Sequence, residues 1–131
     1  MEKKQYFEDM RMRIQDARIN KTKIPYNKGE IYALCAYDET NRYESNRFEC
    51  NCMPKDFNNL KSFTDVFKSV GIQEFAITES STETIDVLHT LQTLGWSYNG
   101  LVTVRRNILN LGYQFVNAIS IKYVGFDRYN D

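Results

Sequence analysis

The sequence predicts a two-layer α+β sandwich. It has a mainly antiparallel sheet of about five strands with helices on one face, in the order helix, strand, strand, helix, strand, helix, strand, strand. Three observations carry this. Residues 56–96 read helix, strand, helix on short turns. Residues 115–124 alternate apolar and polar along their whole length. Residues 2–19 open the chain with apolar residues at helical spacing.

In chain order, Tyr6, Met10, Ile14 and Ala17 recur three and four apart, with Phe7 beside them, and form one helix face. Asn20 to Gly29 is polar and contains Pro25, which predicts a loop. Ile31 to Tyr37 is a dense apolar run. Arg47 to Met53 alternates, with Phe48, Cys50 and Cys52 against Glu49 and Asn51. Two such runs around a polar turn predict an antiparallel hairpin. A helix over Ile31–Tyr37 is the competing reading, because Ala, Leu and Cys suit either state.

Leu60, Phe63, Phe67 and Val70, widened by Val66, mark the next helix, with Asp56 as its cap and Gly71 as its stop. A strand follows from Ile72, with Phe75 and Ile77 on one face and Glu74, Ala76 and Thr78 on the other. Ser80 and Glu83 have capping-box spacing. They precede a helix whose predicted stripe is Ile85, Leu88, Leu91 and Leu94 with Val87 beside it, ended by Gly95. Leu101 to Arg106 is β-rich, and Asn107 to Gln114 is predicted to connect it to the next strand. In that strand Phe115, Asn117, Ile119, Ile121 and Tyr123 oppose Val116, Ala118, Ser120, Lys122 and Val124, half buried on the isoleucine face. The whole of 1–131 reads as a single domain, with a helical N-terminal segment at 2–19 and a core over 30–125.

With 131 residues, 42% hydrophobic and 14% aromatic, the chain can bury a core without metal or disulfide support. Its 17 basic and 17 acidic side chains balance, so bulk charge names no partner. The distribution is uneven: residues 1–28 carry net +4, residues 29–100 net −6 and residues 101–131 net +2. The first residues are charged and no stretch reaches the roughly 18 apolar residues of a membrane span, so a cytoplasmic protein with reduced thiols and no membrane partner is expected.

The chemistry-bearing residues are sparse. Cys35, Cys50, Cys52 and His89 have the count of a zinc site but not its spacing, and core thiols are the expected reading. His89 is the only conventional base and lies among leucines in a helix. Asp38, Glu39, Glu44 and Glu49 gather at a polar turn, where water keeps their pKa values together. No phosphate loop, nucleophile elbow or metalloprotease helix is present. The expectation is therefore no enzymatic activity and no cofactor. Basic residues stand next to aromatics at Arg42–Tyr43, Arg47–Phe48, Lys122–Tyr123 and Arg128–Tyr129, and Arg105 and Arg106 could join one strand. Such pairs suit single-stranded nucleic acid. Aromatic and Arg residues beyond the needs of the core equally suit a protein interface, which is the leading expectation. The partner-binding candidates are Arg42, Tyr43, Arg47, Arg105, Arg106, Lys122 and Tyr123.

The segment from Phe63 to Val104 resembles a module of small uncharacterised proteins of bacterial mobile elements. The resemblance rests on E-F-x-I-T-x-S-S-T at Glu74–Thr82, L-H at Leu88–His89, and G-W with G-L-V between Gly95 and Val102. It implies an origin in phages, plasmids or conjugative elements. Small single-domain proteins of that kind bind and inhibit host defence nucleases, CRISPR effectors among them. No functional residue carries over from the resemblance.

Overall fold

A computed structural model describes residues 2–42, 49–50, 53–78, 82–108 and 111–125. In chain order they form α1 (Lys3–Ile19), α2 (Lys28–Arg42), β1 (Glu49–Cys50), α3 (Phe57–Ser69), β2 (Glu74–Ile77), α4 (Thr82–Thr93), β3 (Trp96–Ile108) and β4 (Gly112–Tyr123). The strands line up as β1-β2-β4-β3. β4 is antiparallel to both of its neighbours, β2 and β3, and the two-residue β1 lies parallel to β2.

The class is α+β as expected, but the five-stranded sheet is not found. Ile31–Tyr37 is helical inside α2, so the first predicted hairpin does not exist, and of the described residues of its second run Glu49–Cys50 is strand. The reason is at the start of α2. Asn27 and Glu30 form a reciprocal capping box: Glu30 N–H donates to Asn27 Oδ1, and Asn27 N–H donates to Glu30 Oε1, both at 2.9 Å. Asn27 falls in the stretch read as loop, and Glu30 directly follows it. The pair nucleates a helix that the ambivalent Ala, Leu and Cys then continue. The connection predicted over Asn107–Gln114 is also shorter, since β3 runs to Ile108 and β4 begins at Gly112.

The other elements follow their sequence signals. α1 buries Phe7, Met10, Ile14 and Ala17. It is held to α2 by Phe7 stacked on Tyr37 at 4.4 Å and by an Arg11–Asp38 ion pair. α3 buries Leu60, Phe63, Val66 and Phe67, and the Asp56 carboxylate accepts the Asn59 N–H at 3.0 Å. Gly71 follows with φ +83°. α4 keeps most of its predicted stripe: Val87, Leu91 and Leu94 are buried with Thr84 and Leu88 is half-buried against the core, while Ile85 is 64% exposed. The proposed Ser80 cap lies outside the described residues.

All four helices pack onto one face of the sheet. Phe75 and Ile77 of β2, Trp96 of β3 and Ile121 of β4 share a single core with Phe7, Met10, Ala33, Leu60, Phe63, Phe67 and Leu91. α2 and α3 approach so closely that a Cβ on Gly29 would stand 2.0 Å from the Asn59 carbonyl oxygen. Gly29 is there for space, not as a turn.

Two predictions follow from this packing. Gly29→Ala should destabilise by roughly 1–3 kcal/mol, since neither helix backbone can yield without disturbing the core; urea denaturation measures it, and an unchanged midpoint would show that α2 and α3 are not in this contact. Backbone and side-chain hydrogen bonds from Asn59 hold the Asp56 carboxyl below its ordinary pKa. The folded state therefore binds that proton less tightly than the unfolded chain. The cap's contribution is complete above the ordinary carboxylate value and is lost as pH falls through the lowered one. Asp56→Ala should cost stability at pH 7 and nothing once the pH is below both values; thermal melts of both proteins across that range check it.

Candidate functional site

β3 and β4 pair along almost their whole length, from Trp96↔Tyr123 to Ile108↔Gly112, with one bulge between Tyr98 and Leu101. β2 meets β4 only over Ile119–Lys122. Beyond Ile119 the two strands continue as a ribbon that outruns the rest of the sheet. Directly opposed residues share a face. Ile121, Ile119, Asn117, Phe115 and Tyr113 therefore lie on the helix-bearing side, together with Tyr98, Leu101 and Thr103.

Burial along that one face changes abruptly. Ile121 is fully buried under the helices. Leu101 is 71% exposed, Phe115 74% and Tyr113 46%, and Tyr98 and the nearby Leu111 are also open. The opposite face behaves differently: Ala76, Val104, Ala118 and Ser120 are buried, and Ser120 donates to Glu74 Oε1 at 2.9 Å. The ribbon thus has one closed face and one open face, on which Leu101, Phe115 and Tyr113 stand exposed with the polar pair Thr103 and Asn117 between them. Large apolar side chains left bare on one face mark a candidate contact site in a folded protein.

The ribbon's charge is one-sided. Between Ser97 and Tyr123 the sequence has Arg105, Arg106 and Lys122 and no carboxylate. Arg105 stands at the register position opposite Phe115, and Arg106 opposite Gln114. The acidic excess lies in residues 29–100, which carry net −6.

A second concavity, of about 360 Å³, lies where α1, α2 and α3 meet and is lined by Tyr6, Asn27, Glu30, Ser62, Asp65, Val66 and Ser69. Its polar groups are already engaged. Glu30 and Asn27 cap α2, Asn27 Nδ2 donates to Ser62 Oγ at 3.0 Å, and Asp65 pairs with Lys61 at 2.7 Å and Lys68 at 3.4 Å. Burial, and then the Glu30 charge, push the Tyr6 hydroxyl above its ordinary pKa. A neutral phenol beside occupied carboxylates offers neither a base nor a nucleophile.

The sequence candidates scatter. Arg105, Arg106 and Lys122 fall on the ribbon. Arg42 ends α2, remote in sequence from it, and Tyr43 and Arg47 lie outside the described residues. Tyr123 is half-buried, its ring edge-on to Trp96 at 5.3 Å with the Lys68 ammonium 5.1 Å above it, so it belongs to the core margin. His89 is exposed on α4. Cys35 is exposed on α2, contrary to the expectation of core thiols, and cannot face Cys50 across a hairpin that is absent. Among the described residues no three His, Cys, Asp or Glu side chains gather as metal ligands. No helix among them is long and apolar enough to cross a membrane. The exposed Leu101, Tyr113 and Phe115 were not singled out from sequence. Their only signal was alternation, which reads the same whether a face is covered or bare.

A family model described as Domain of unknown function (DUF7698) matches residues 32–122. That span runs from within α2 to Lys122, one residue short of the end of β4, and contains nearly all of the ribbon. No curated protein and no solved structure matches the chain.

If the bare face is a contact surface and not part of the core, its residues are dispensable for folding. Phe115→Ser should change stability by no more than roughly 0.5 kcal/mol, whereas Phe75→Ala, on the covered part of the same face, should cost roughly 3–5 kcal/mol. Equal losses in chemical denaturation would mean that Phe115 is packed.

Proposed function

The chain belongs to the DUF7698 family, whose description assigns no role, and we propose that this member is a non-enzymatic protein-binding module that works through the bare face of the β3–β4 ribbon. The observation that carries the reading is the run of open Leu101, Tyr113 and Phe115 on a surface whose other end is core. A side chain that is bare in the free protein and continuous with a rigid core can be buried by a partner with little ordering cost. Aromatic residues beside Arg, as at Phe115 and Arg105, are the residue types that anchor interfaces. The absence of a proton-transfer pair in the α1–α2–α3 cleft supports binding over turnover.

The similarity to mobile-element proteins suggests what such a module does. It occupies a working surface of a larger host complex, in the manner of an inhibitor of a defence nuclease. Single-stranded nucleic acid is a poorer fit for this face. Tyr98, Tyr113 and Phe115 offer rings for bases to stack on, but of the ribbon's three cations only Arg105 takes a register position on this face, with Arg106 and Lys122 on the other, which leaves few charges to neutralise phosphates.

Two measurements test the reading. Immobilised full-length protein should retain a stoichiometric protein from cells of its source, and the Leu101→Ser/Phe115→Ser double variant, folded to the same melting temperature, should retain it at least about tenfold less. Equal retention by both proteins would move the contact away from the ribbon. In a low-salt gel-shift a uniform 20-nucleotide single strand should not be retarded; retardation abolished by Arg105→Glu/Arg106→Glu would favour nucleic acid instead.

A further inference from the structure

We infer that Asn99–Gly100, in the bulge of β3, is a site of spontaneous covalent modification. The Asn99 side chain closes onto the Gly100 backbone nitrogen, loses ammonia and reopens as aspartate or isoaspartate. The inference does not depend on what the ribbon binds. The modification changes the ribbon's charge once per molecule and in one direction.

The chemistry needs a reachable amide nitrogen directly after an asparagine. A side chain on the following residue shields that nitrogen, and glycine has none. Asn99–Gly100 is the only Asn-Gly pair in the chain. Gly100 has φ +94°, and a Cβ there would meet nothing within 4 Å. Asn99 is exposed, and its side-chain amide makes no hydrogen bond among the described residues. It gives up no partner when it turns toward the backbone.

The strand register frees the pair as well. Tyr98 pairs with Ile121 and Leu101 with Ile119, so Asn99 and Gly100 together face the single Ser120. Two residues against one leave an extra residue outside the ladder, at a point where the strand bends. Asn117 lacks these conditions: it is followed by Ala118 and paired with Thr103.

The step needs no co-reactant but water. The Gly100 nitrogen gives its proton to solvent and bonds to Asn99 Cγ. The Cγ–Nδ2 bond breaks, and the leaving nitrogen takes a proton back and departs as ammonia. The cyclic imide that remains takes up water. Opening at one carbonyl gives aspartate; opening at the other gives isoaspartate, in which the backbone runs through Cγ. Either product places a carboxylate in a stretch that has none between Ser97 and Tyr123. It stands on the strand that carries Arg105 and Arg106. The added backbone carbon of isoaspartate falls where the ladder is already irregular, so the pairing from Leu101 to Ile108 is kept.

The test incubates the full-length protein at neutral and at mildly alkaline pH, with a synthetic peptide of residues 95–102 as the unfolded reference. Digestion with an acid protease and mass spectrometry read the gain of about one dalton, and chromatography separates the two products. Both should form at Asn99 in the folded protein, at a rate within about tenfold of the peptide's. The rate should rise with pH, and Asn117 should stay intact over the same time. Asn99→Gln, an exchange at an exposed position, should keep the melting temperature and lose the modification, because the longer side chain closes its ring far more slowly. An Asn99 that persists in the folded protein while the peptide converts would show that the bulge holds the pair rigid, and would overturn the inference. Aspartate without isoaspartate would overturn it too, since plain hydrolysis would then replace the ring. A wild-type rate in Asn99→Gln would place the modification at another residue and equally overturn it.

Discussion

The junction of Gly95 and Trp96 joins the two layers. Gly95 adopts φ +90°, a conformation that costs other residues, and its carbonyl accepts the N–H groups of Val124 at 2.9 Å and Gly125 at 3.0 Å. A Cβ there would also press on the Tyr123 ring, 2.9 Å away. The end of α4 is thereby tied to the end of β4, and Trp96 is delivered into the core with no exposed surface. Its ring meets Phe75 at 5.2 Å and Tyr123 at 5.3 Å, and Phe75 in turn meets Phe63 at 5.8 Å and Phe67 at 5.3 Å, all but edge-to-face. The aromatic chain from α3 through β2 to β3 and β4 fixes how the helices sit on the sheet. The Trp96 indole N–H finds no hydrogen-bond partner among the described residues, so the ring is held by shape and not by a polar anchor.

From that anchor the mismatch between layers follows. β2 has four residues and β1 two, while β3 has thirteen and β4 twelve. Helices gathered around Phe75 and Trp96 cover the near end of the two long strands and leave Leu101, Tyr113 and Phe115 beyond their reach. The bare face is a consequence of unequal strand length. A two-stranded ribbon is marginal by itself, and here one closed face, with Val104 and Ala118 buried, supports the open one. The functional reading depends on that asymmetry more than on any single side chain.

Where local chemistry decides structure, the residues could be read directly. The α1 stripe of Phe7, Met10, Ile14 and Ala17, the Asp56 cap, the Gly71 and Gly95 stops and the alternation of β4 all lie within a few residues of the groups they organise. The errors have equally local causes. In α2, the capping pair Asn27 and Glu30 was overshadowed by Pro25 and Gly29, which suggested a loop, although Gly29 serves helix contact. In α4, Ile85, Leu88, Leu91 and Leu94 were as well spaced as the face that won. The buried face turns toward Val87, with Leu91 and Leu94 common to both, and leaves Ile85 in water.

The sequence by itself determined which segments are helical at the two ends of the central unit, where they stop, and which residues of β4 share a face, because each depends on neighbours three or four positions away. Which faces are covered was decided only by the tertiary structure. Ile121 and Phe115 belong to one alternating series, yet one is fully buried and the other 74% exposed. The difference lies in what stands above them: helices remote in sequence, positioned by Trp96, end over the first and never reach the second. Pattern identifies a face, but covering it is a contact between distant parts of the chain, and that contact is also what leaves the ribbon open.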